Sequence, residues 1–334
     1  MYYSETYVKI EKLFNKYGLE TIIEEPKQVT GGLMHKMYQI VTEHKKYAVK
    51  EFNAAIMLRK GVTESIINSE RIATALEGIV PVVAAIQFNN DPLLKLDGQY
   101  FMVFNWLDGV SIFPPKISLQ DCNKIGTQLA KMHTANIIIP GIIKEIDAPE
   151  VYDWSKYLLM GQDINAEWIH QLSNMIDDLN KWSHGLVEAY TSLSSNLVLS
   201  HRDLDPKNVM WKDNNPYIID WEAAGYVNPY QELLEVLNYW ANNGNGELDR
   251  DKFKALYQAY IAIAGSCHVN WETVLASGFG GMLGWLNYSF KRSLGIEVAS
   301  IEEKKLGTEQ VFGTMEALRQ YAKQTALLKS WLEG

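Results

Sequence analysis

The chain has 334 residues, 47% of them hydrophobic and 21% charged, enough to bury a core and to divide into two lobes or two modest domains. Its 31 basic and 40 acidic side chains leave a formal charge of −9, which argues against non-specific nucleic-acid binding, because such binding rests on neutralising phosphates. An acidic chain is instead compatible with a cationic partner. No apolar run reaches the ~18 residues a membrane span needs. The start, Met1-Tyr2-Tyr3-Ser4-Glu5, lacks the basic-then-apolar pattern of a secretory signal, so a soluble, cytoplasmic protein with no membrane partner is expected. Cys122 and Cys267 form no C-x-x-C pair and read as reduced thiols.

In chain order, residues 9–17 read as a helix. The texture then turns to strand up to Trp106. Residues 21–29, 36–42 and 46–52 are short and rich in β-branched or aromatic side chains. A helix over 63–76 interrupts them. Strands over 82–88 and 99–105 follow, separated by the turn-forming Asn89-Asn90-Asp91-Pro92. After Gly109 the pattern changes. Pro114-Pro115 punctuates the chain, and Ser118-x-x-Asp121 resembles a capping box. Leu119, Cys122, Ile125, Leu129 and Met132 then recur at three- and four-residue steps, which predicts a helix with one buried stripe. Further helices are predicted over 166–192, 229–241, 251–264, 271–294 and 301–332, with short strands at 197–200, 209–211 and 217–219. The fold class is therefore α+β, with a strand-rich lobe over 1–105 and a larger helical lobe over 106–334.

The segment His201-Arg202-Asp203-Leu204-Asp205-Pro206-Lys207-Asn208 reads H-x-D-x-x-x-x-N, and Asp220 follows the apolar run Tyr217-Ile218-Ile219. Asp, Pro and Asn cluster in turns for local reasons too. Together at this spacing they fit phosphoryl transfer. That reaction needs an aligned nucleophile and neutralised phosphate charge more than covalent chemistry. A carboxylate beside the attacking hydroxyl aligns it and takes its proton, the role assigned to Asp203. An Asn carbonyl and a second carboxylate supply hard oxygen ligands for Mg²⁺, assigned to Asn208 and Asp220. His201 is expected to orient the loop and not to act on substrate.

Residues 201–208, with Ile219-Asp220-Trp221-Glu222 and the continuation Ala224 to Leu233, resemble the catalytic and metal-binding loops of the aminoglycoside phosphotransferase and choline kinase superfamily. The resemblance is motif-specific from about residue 197 to 235 and follows the lobe order elsewhere. It implies a protein-kinase-like fold and an ATP-dependent transfer, with an acidic residue near Glu232 bracing the catalytic loop. It also implies a nucleotide site in the first lobe. Tyr47-Ala48-Val49-Lys50 is close to the V-A-I-K strand that presents a phosphate-binding Lys. Strand alternation sets Ala48 and Lys50 on one face. On the next helix Glu70 shares a stripe with Ile67, Ala73 and Leu76. A carboxylate there is costly unless paired, and Lys50 is the partner the resemblance implies, with Glu64 and Glu77 as alternatives. Thr30-Gly31-Gly32 is a candidate phosphate-covering turn. The segment from Phe104 to Gly109 falls where the interlobe hinge would lie, so backbone groups near Asn105 and Leu107 would bond the purine. Nothing here separates ATP from GTP.

Several features depart from protein kinases. The glycines do not complete G-x-G-x-x-G, Glu222 replaces the Gly of D-F-G, and Asp205 stands where Ser/Thr kinases carry Lys. These differences argue against a protein substrate and for the small-molecule branch. The helical lobe is rich in acids and aromatics, including Asp153, Trp154, Trp168, Trp182, Trp240, Trp285 and Tyr288. Asp205, Glu235 and Tyr239 are the leading substrate candidates, since they follow the catalytic or metal loops closely. The expected activity is transfer of the γ-phosphoryl group of ATP to a hydroxyl of a small, cationic substrate. The alternatives are a choline, ethanolamine or homoserine kinase-like metabolic enzyme, or a nucleotide-binding scaffold without turnover. The sequence carries no signal for the acceptor or the oligomeric state.

Overall fold

The structure, a computed structural model, describes residues 4–29, 35–296 and 300–334. The first helix, α1 (Glu5–Tyr17), starts at Ser4, whose hydroxyl accepts the Tyr7 N–H at 3.0 Å, and stops at Gly18 with a left-handed φ of 67°. Its buried stripe of Tyr7, Ile10, Leu13 and Phe14 covers a sheet, with Phe14 edge-on to Tyr47. The sheet contains β1 (Lys27–Val29), β2 (Lys36–Val41), β3 (Lys46–Glu51), β4 (Leu94–Leu96) and β5 (Gln99–Asn105). It is antiparallel throughout, in the order β1-β2-β3-β5-β4. Central β3 sets Ala48 opposite Phe104 and Lys50 opposite Met102. Between β3 and β4 lie a single turn, α2 (Ala54–Met57), and α3 (Val62–Leu76).

Two strand expectations need correction. Over residues 21–29 only the last three form a strand, with an isolated bridge between Ile22 and Thr42. Residues 82–88 do not join the sheet. Ile218 N–H donates to Pro81 O at 2.8 Å, Val83 N–H to Ile218 O at 2.9 Å, and Ile86 N–H to Val103 O at 2.7 Å. The backbone groups of this run are thus divided between the two lobes. The sheet edge beside β5 goes to β4 instead.

The second lobe begins with α4 (Leu119–Thr134), capped by the Ser118–Asp121 box. Next come α5 (Trp154–Asp163), α6 (Ile169–Ser173) and α7 (Ile176–Leu193). Two antiparallel strand pairs carry the motif: β6 (Val198–Ser200) with β9 (Gly225–Val227), and the hairpin of β7 (Val209–Lys212) with β8 (Asn215–Ile218). The lobe ends with α8 (Pro229–Trp240), α9 (Arg250–Ala264), α10 (Trp271–Ser277), α11 (Gly280–Leu294) and α12 (Ile301–Glu333). The single helix expected over 271–294 breaks at Gly278. There Tyr321 of α12 donates its hydroxyl to Leu275 O at 2.9 Å, and a Cβ on Gly278 would collide with it. The helix expected over 166–192 likewise divides into α6 and α7, and α5 carried no sequence expectation.

The largest core cluster fills the helical lobe around Trp154, Trp168, Trp221 and Trp240. It also takes in Ile72, Ala73, Leu76 and Val80 from the end of α3 and the segment after it. The first lobe has two smaller clusters, around Phe14 and Tyr47 and around Phe52 and Met102. The C-terminal turn of α3 is thus built into the helical lobe, which ties the position of Glu70 to that lobe.

Candidate active site

The motif loop leaves β6 at Ser200. Arg202 adopts a left-handed φ of 67°, unusual for a residue other than glycine. Glu232 of α8 holds that conformation. Its Oε1 accepts the Arg202 N–H at 2.6 Å, and its Oε2 lies 2.7 Å from His133 Nε2. Both side chains are buried, and His133 Nδ1 lies 2.9 Å from the Tyr260 hydroxyl. Burial pushes the Glu232 carboxyl up, but His133, Ser200 and the Arg202 amide outweigh it and hold it below the usual range. A charged acceptor buried under the loop therefore offsets the cost of the Arg202 backbone.

His201 fastens the other side. Its Nε2 donates to Ile219 O at 3.0 Å, while its Nδ1 accepts the Asp203 N–H at 3.3 Å. Burial pushes this imidazole below its ordinary range, which fits the neutral tautomer those two bonds require. Ile219 N–H donates to Asn208 O at 3.0 Å. Both backbone groups of Ile219 are therefore bonded to the motif loop, and Asp220, the next residue, takes its position from them. Asp220 itself has a φ of 58° in the left-handed region, where short polar side chains are tolerated.

Between these anchors, Asp205 Oδ1 accepts the Lys207 N–H at 2.8 Å and caps the 3₁₀ turn Pro206–Asn208. That turn presents Asn208, which is buried. Its Nδ2 donates to Asp203 O and to Asp203 Oδ2, both at 2.9 Å. The amide is thereby oriented with its Oδ1 turned away from Asp203. Asp203 Oδ2 is held by Asn208, and the Lys207 ammonium spans both carboxylate oxygens, 3.3 Å from Oδ2 and 3.4 Å from Oδ1.

Lys50 reaches this group from the first lobe. Its ammonium lies 2.8 Å from Asp220 Oδ1 and also pairs with Glu222. Burial pulls the Lys50 ammonium down, but the Asp220 and Glu222 charges outweigh it and hold its proton above the ordinary range. Glu222 is clamped a second time by His35 Nε2 at 3.4 Å, and His35 Nδ1 accepts the Asn53 N–H at 3.1 Å. Burial pushes the Glu222 carboxyl up, yet His35 and Lys50 outweigh it and hold it at about 2. Glu70 is not brought to Lys50. Its Oε2 accepts the Ala85 N–H at 2.8 Å, and burial pushes its carboxyl up to about 7. The pair expected from the sequence is replaced because the carboxylates of Asp220 and Glu222 lie closer to Lys50, while α3 packs against the turn Trp221–Ala223.

Around the hinge, Asn105 closes β5 opposite Tyr47, and Trp106 N–H donates to Lys46 O at 3.1 Å. Leu107 O accepts from Gly109 N–H at 3.0 Å. A cavity of about 430 Å³ opens beside this segment, lined by residues 106–110 and 211–213. Thr30, Gly31 and Gly32 lie outside the described residues. On α8, one turn past Glu232, Glu235 and Tyr239 stand together, with the Tyr239 hydroxyl 3.4 Å from Glu235 Oε1. Glu235 is open to water on this wall. The surrounding protein, Glu232 and Asp203 all push its carboxyl up. Of the aromatics considered for substrate, Trp154 and Trp168 are core, each fully buried with its N–H bonded to a serine.

Sequence reasoning missed His133, His35 and Lys207. His133 was within reach of it, since it adjoins the buried stripe of α4 and a histidine there needs a partner. His35 and Lys207 give no comparable signal, because their roles depend on which carboxylates the fold brings near.

Comparison with known proteins agrees with this geometry. Residues 25–265 match the phosphotransferase enzyme family, APH. A LicA homolog from Mycoplasma capricolum is 24% identical over 192 residues, which cover 56% of this chain and 71% of that protein. The structure of a spectinomycin phosphotransferase with ADP and spectinomycin superposes at a TM-score of 0.69, with 13% identity, covering 94% of this chain and 98% of that one. A choline kinase from Cryptosporidium parvum Iowa II superposes at 0.61, with 15% identity over 99% and 100% of the two chains. No helix among the described residues is long and apolar enough to cross a membrane. The chain has the two-lobed kinase-like fold and belongs to the phosphotransferase enzyme family, whose small-molecule kinases it resembles along its length.

Proposed function

We propose that this phosphotransferase moves the γ-phosphoryl group of ATP, with Mg²⁺, to a hydroxyl group of a small, cationic substrate. The observation that carries this reading is the Asn208 amide. By donating to the backbone oxygen and to Oδ2 of Asp203, it leaves the Asp203 Oδ1, approached by the exposed Lys207 ammonium at 3.4 Å, for an acceptor hydroxyl and its own Oδ1 for a metal. Among the described residues no three His, Cys, Asp or Glu side chains are grouped as a metal cage. An incomplete set of hard oxygens from Asn208 and Asp220 suits Mg²⁺, which keeps water and phosphate oxygens as its other ligands. When bound, the metal would neutralise phosphate charge.

In this mechanism Asp203 aligns the hydroxyl and receives its proton. The acceptor oxygen forms a bond to the γ-phosphorus, the bond to the bridging oxygen breaks, and that electron pair leaves with ADP. Lys50 turns from its carboxylate partners toward the nucleotide phosphates. The hinge near Asn105 and Leu107 takes the purine, and Thr30, Gly31 and Gly32 are assigned to cover the phosphates. Glu70 steadies this half through the linker amide of Ala85. Lobes over 1–105 and 106–334 divide the work between nucleotide and acceptor, and the cytoplasm supplies the ATP. GTP remains an alternative donor.

The acidic wall of Asp205, Glu235 and Tyr239 supports a cationic acceptor. Tyr239 beside a carboxylate would also suit a quaternary ammonium, by cation–π attraction, which favours choline as a second reading. Turnover with ATP and Mg²⁺ against aminoglycosides, choline, ethanolamine and homoserine tests both, and the substrate found separates a resistance role from a metabolic one. Nucleotide binding without phosphate transfer to any member of such a panel, and without hydrolysis of ATP, would leave the scaffold reading standing.

A further inference from the structure

The proposed transfer gives Lys207 no role, and its position does not follow from stability. Its ammonium lies 3.3 Å from Asp203 Oδ2 and 3.4 Å from Oδ1, with 56% of the side chain exposed. An exposed i,i+4 pair contributes at most ~0.5 kcal/mol and restrains a flexible side chain. What distinguishes this cation is its company. Asp203, Asp205, Glu232 and Glu235 all act on the α8 wall, where Glu235 and Tyr239 each feel several of these negative charges. Lys50 is engaged by Asp220 and Glu222. Arg202 turns its guanidinium against Gly225, where a Cβ would meet Nη1. With Lys50 and the metal turned to the nucleotide side, a phosphoryl group arriving at Asp203 would still meet carboxylates on the acceptor side, and among the described residues Lys207 is the cation in contact with Asp203.

We propose that Lys207 is a catalytic residue of the phosphoryl transfer, contacting the oxygens of the migrating group while it stays beside Asp203. The inference rests on the reading of Asp203 as the group that takes the acceptor proton. The oxygen–phosphorus bond to the acceptor forms as the bond to the bridging oxygen breaks. Negative charge spreads over the three remaining phosphoryl oxygens during that exchange, and an ammonium already anchored at Asp203 stabilises it without reorganising. Asp205 contributes by capping the turn that aims Lys207, so the acid at this position serves to place a base two residues later.

The test needs no knowledge of the acceptor. Affinities for Mg²⁺–ADP alone and for Mg²⁺–ADP with fluoroaluminate, a mimic of the phosphoryl group in transit, are measured by calorimetry on wild type, Lys207→Met and Lys207→Arg. Wild type is expected to bind the mimic more tightly than ADP. Lys207→Met should weaken mimic binding by about 10- to 100-fold while changing ADP binding less than about 3-fold, and Lys207→Arg should restore most of the loss. Equal mimic affinity in wild type and Lys207→Met would overturn the role of Lys207 alone. Equal losses in the Met and Arg variants would also overturn it, since they would point to shape and not charge. Wild type that gains nothing from fluoroaluminate would overturn the phosphoryl-transfer reading itself, and this inference with it.

Discussion

On the helical side of the cleft, Asp203 is held through the backbone. Glu232 accepts the Arg202 amide, His201 binds Ile219 and Asp203, and Asn208 fastens the carboxylate, all with buried partners. On the sheet side, Lys50 is held by charged side chains, in ion pairs with Asp220 and Glu222, with His35 as a second clamp on Glu222. The first arrangement is preorganised, because its bonds are satisfied within the protein and no ligand competes for them. The second consists of partners that phosphates and a metal also attract. One half of the site is thus fixed before substrate arrives, and the other is set to exchange partners.

Removing chemistry without disturbing the fixed half should have the largest effect. Asp203→Asn keeps the hydrogen-bonded shape of the loop and is expected to lower kcat by roughly 10²–10⁴-fold, with the melting temperature little changed. Steady-state turnover of the identified substrate measures it, and an intact rate would remove Asp203 from its role. Glu232→Ala acts on the scaffold instead. It strands the Arg202 N–H and His133 in the core, so urea unfolding should show a loss of roughly 3–5 kcal/mol. A loss under 1 kcal/mol would mean that the loop is not held by this brace. Lys50→Ala breaks the exchangeable half and should raise the KM for ATP by about 10-fold or more, with far less cost in stability. Unchanged nucleotide kinetics would show that Lys50 never leaves its carboxylates.

These two halves were also unequally legible in the sequence. The motif from His201 to Asn208 is local, so residue spacing alone predicted which groups the loop would gather. Glu232 was legible only through family resemblance, and its partner His133 was not seen at all. Glu70 suggested a buried charge in need of a partner, and Lys50 was the partner the family resemblance implied. The sequence could not say which carboxylate would win, since Asp220 and Glu222 lie some 170 residues away from Lys50. The strand expected over 82–88 fails for a similar reason. Its β-branched residues satisfy strand propensity, but their hydrogen bonds go to Ile218 and Val103 in different lobes, a tertiary choice that propensity does not contain.

Glu70 offers the finest test of the comparison. Burial pushes its carboxyl up to about 7 from an ordinary 4.5, with Lys50 too far away to reverse the shift. The folded protein keeps a proton that the unfolded chain gives up near 4.5. The stability due to the protonated carboxyl is complete below pH 4.5 and is lost as the pH rises through about 7. Glu70→Gln retains an acceptor for the Ala85 N–H and cannot ionise. Its unfolding free energy should therefore change little between pH 5 and pH 8 at this site, while that of wild type falls. The difference between the two should grow in favour of the variant by on the order of 1–3 kcal/mol over that range. Parallel curves would mean that Lys50 pairs with Glu70 in solution, and that the sheet side of the cleft is fixed in advance as firmly as the helical side.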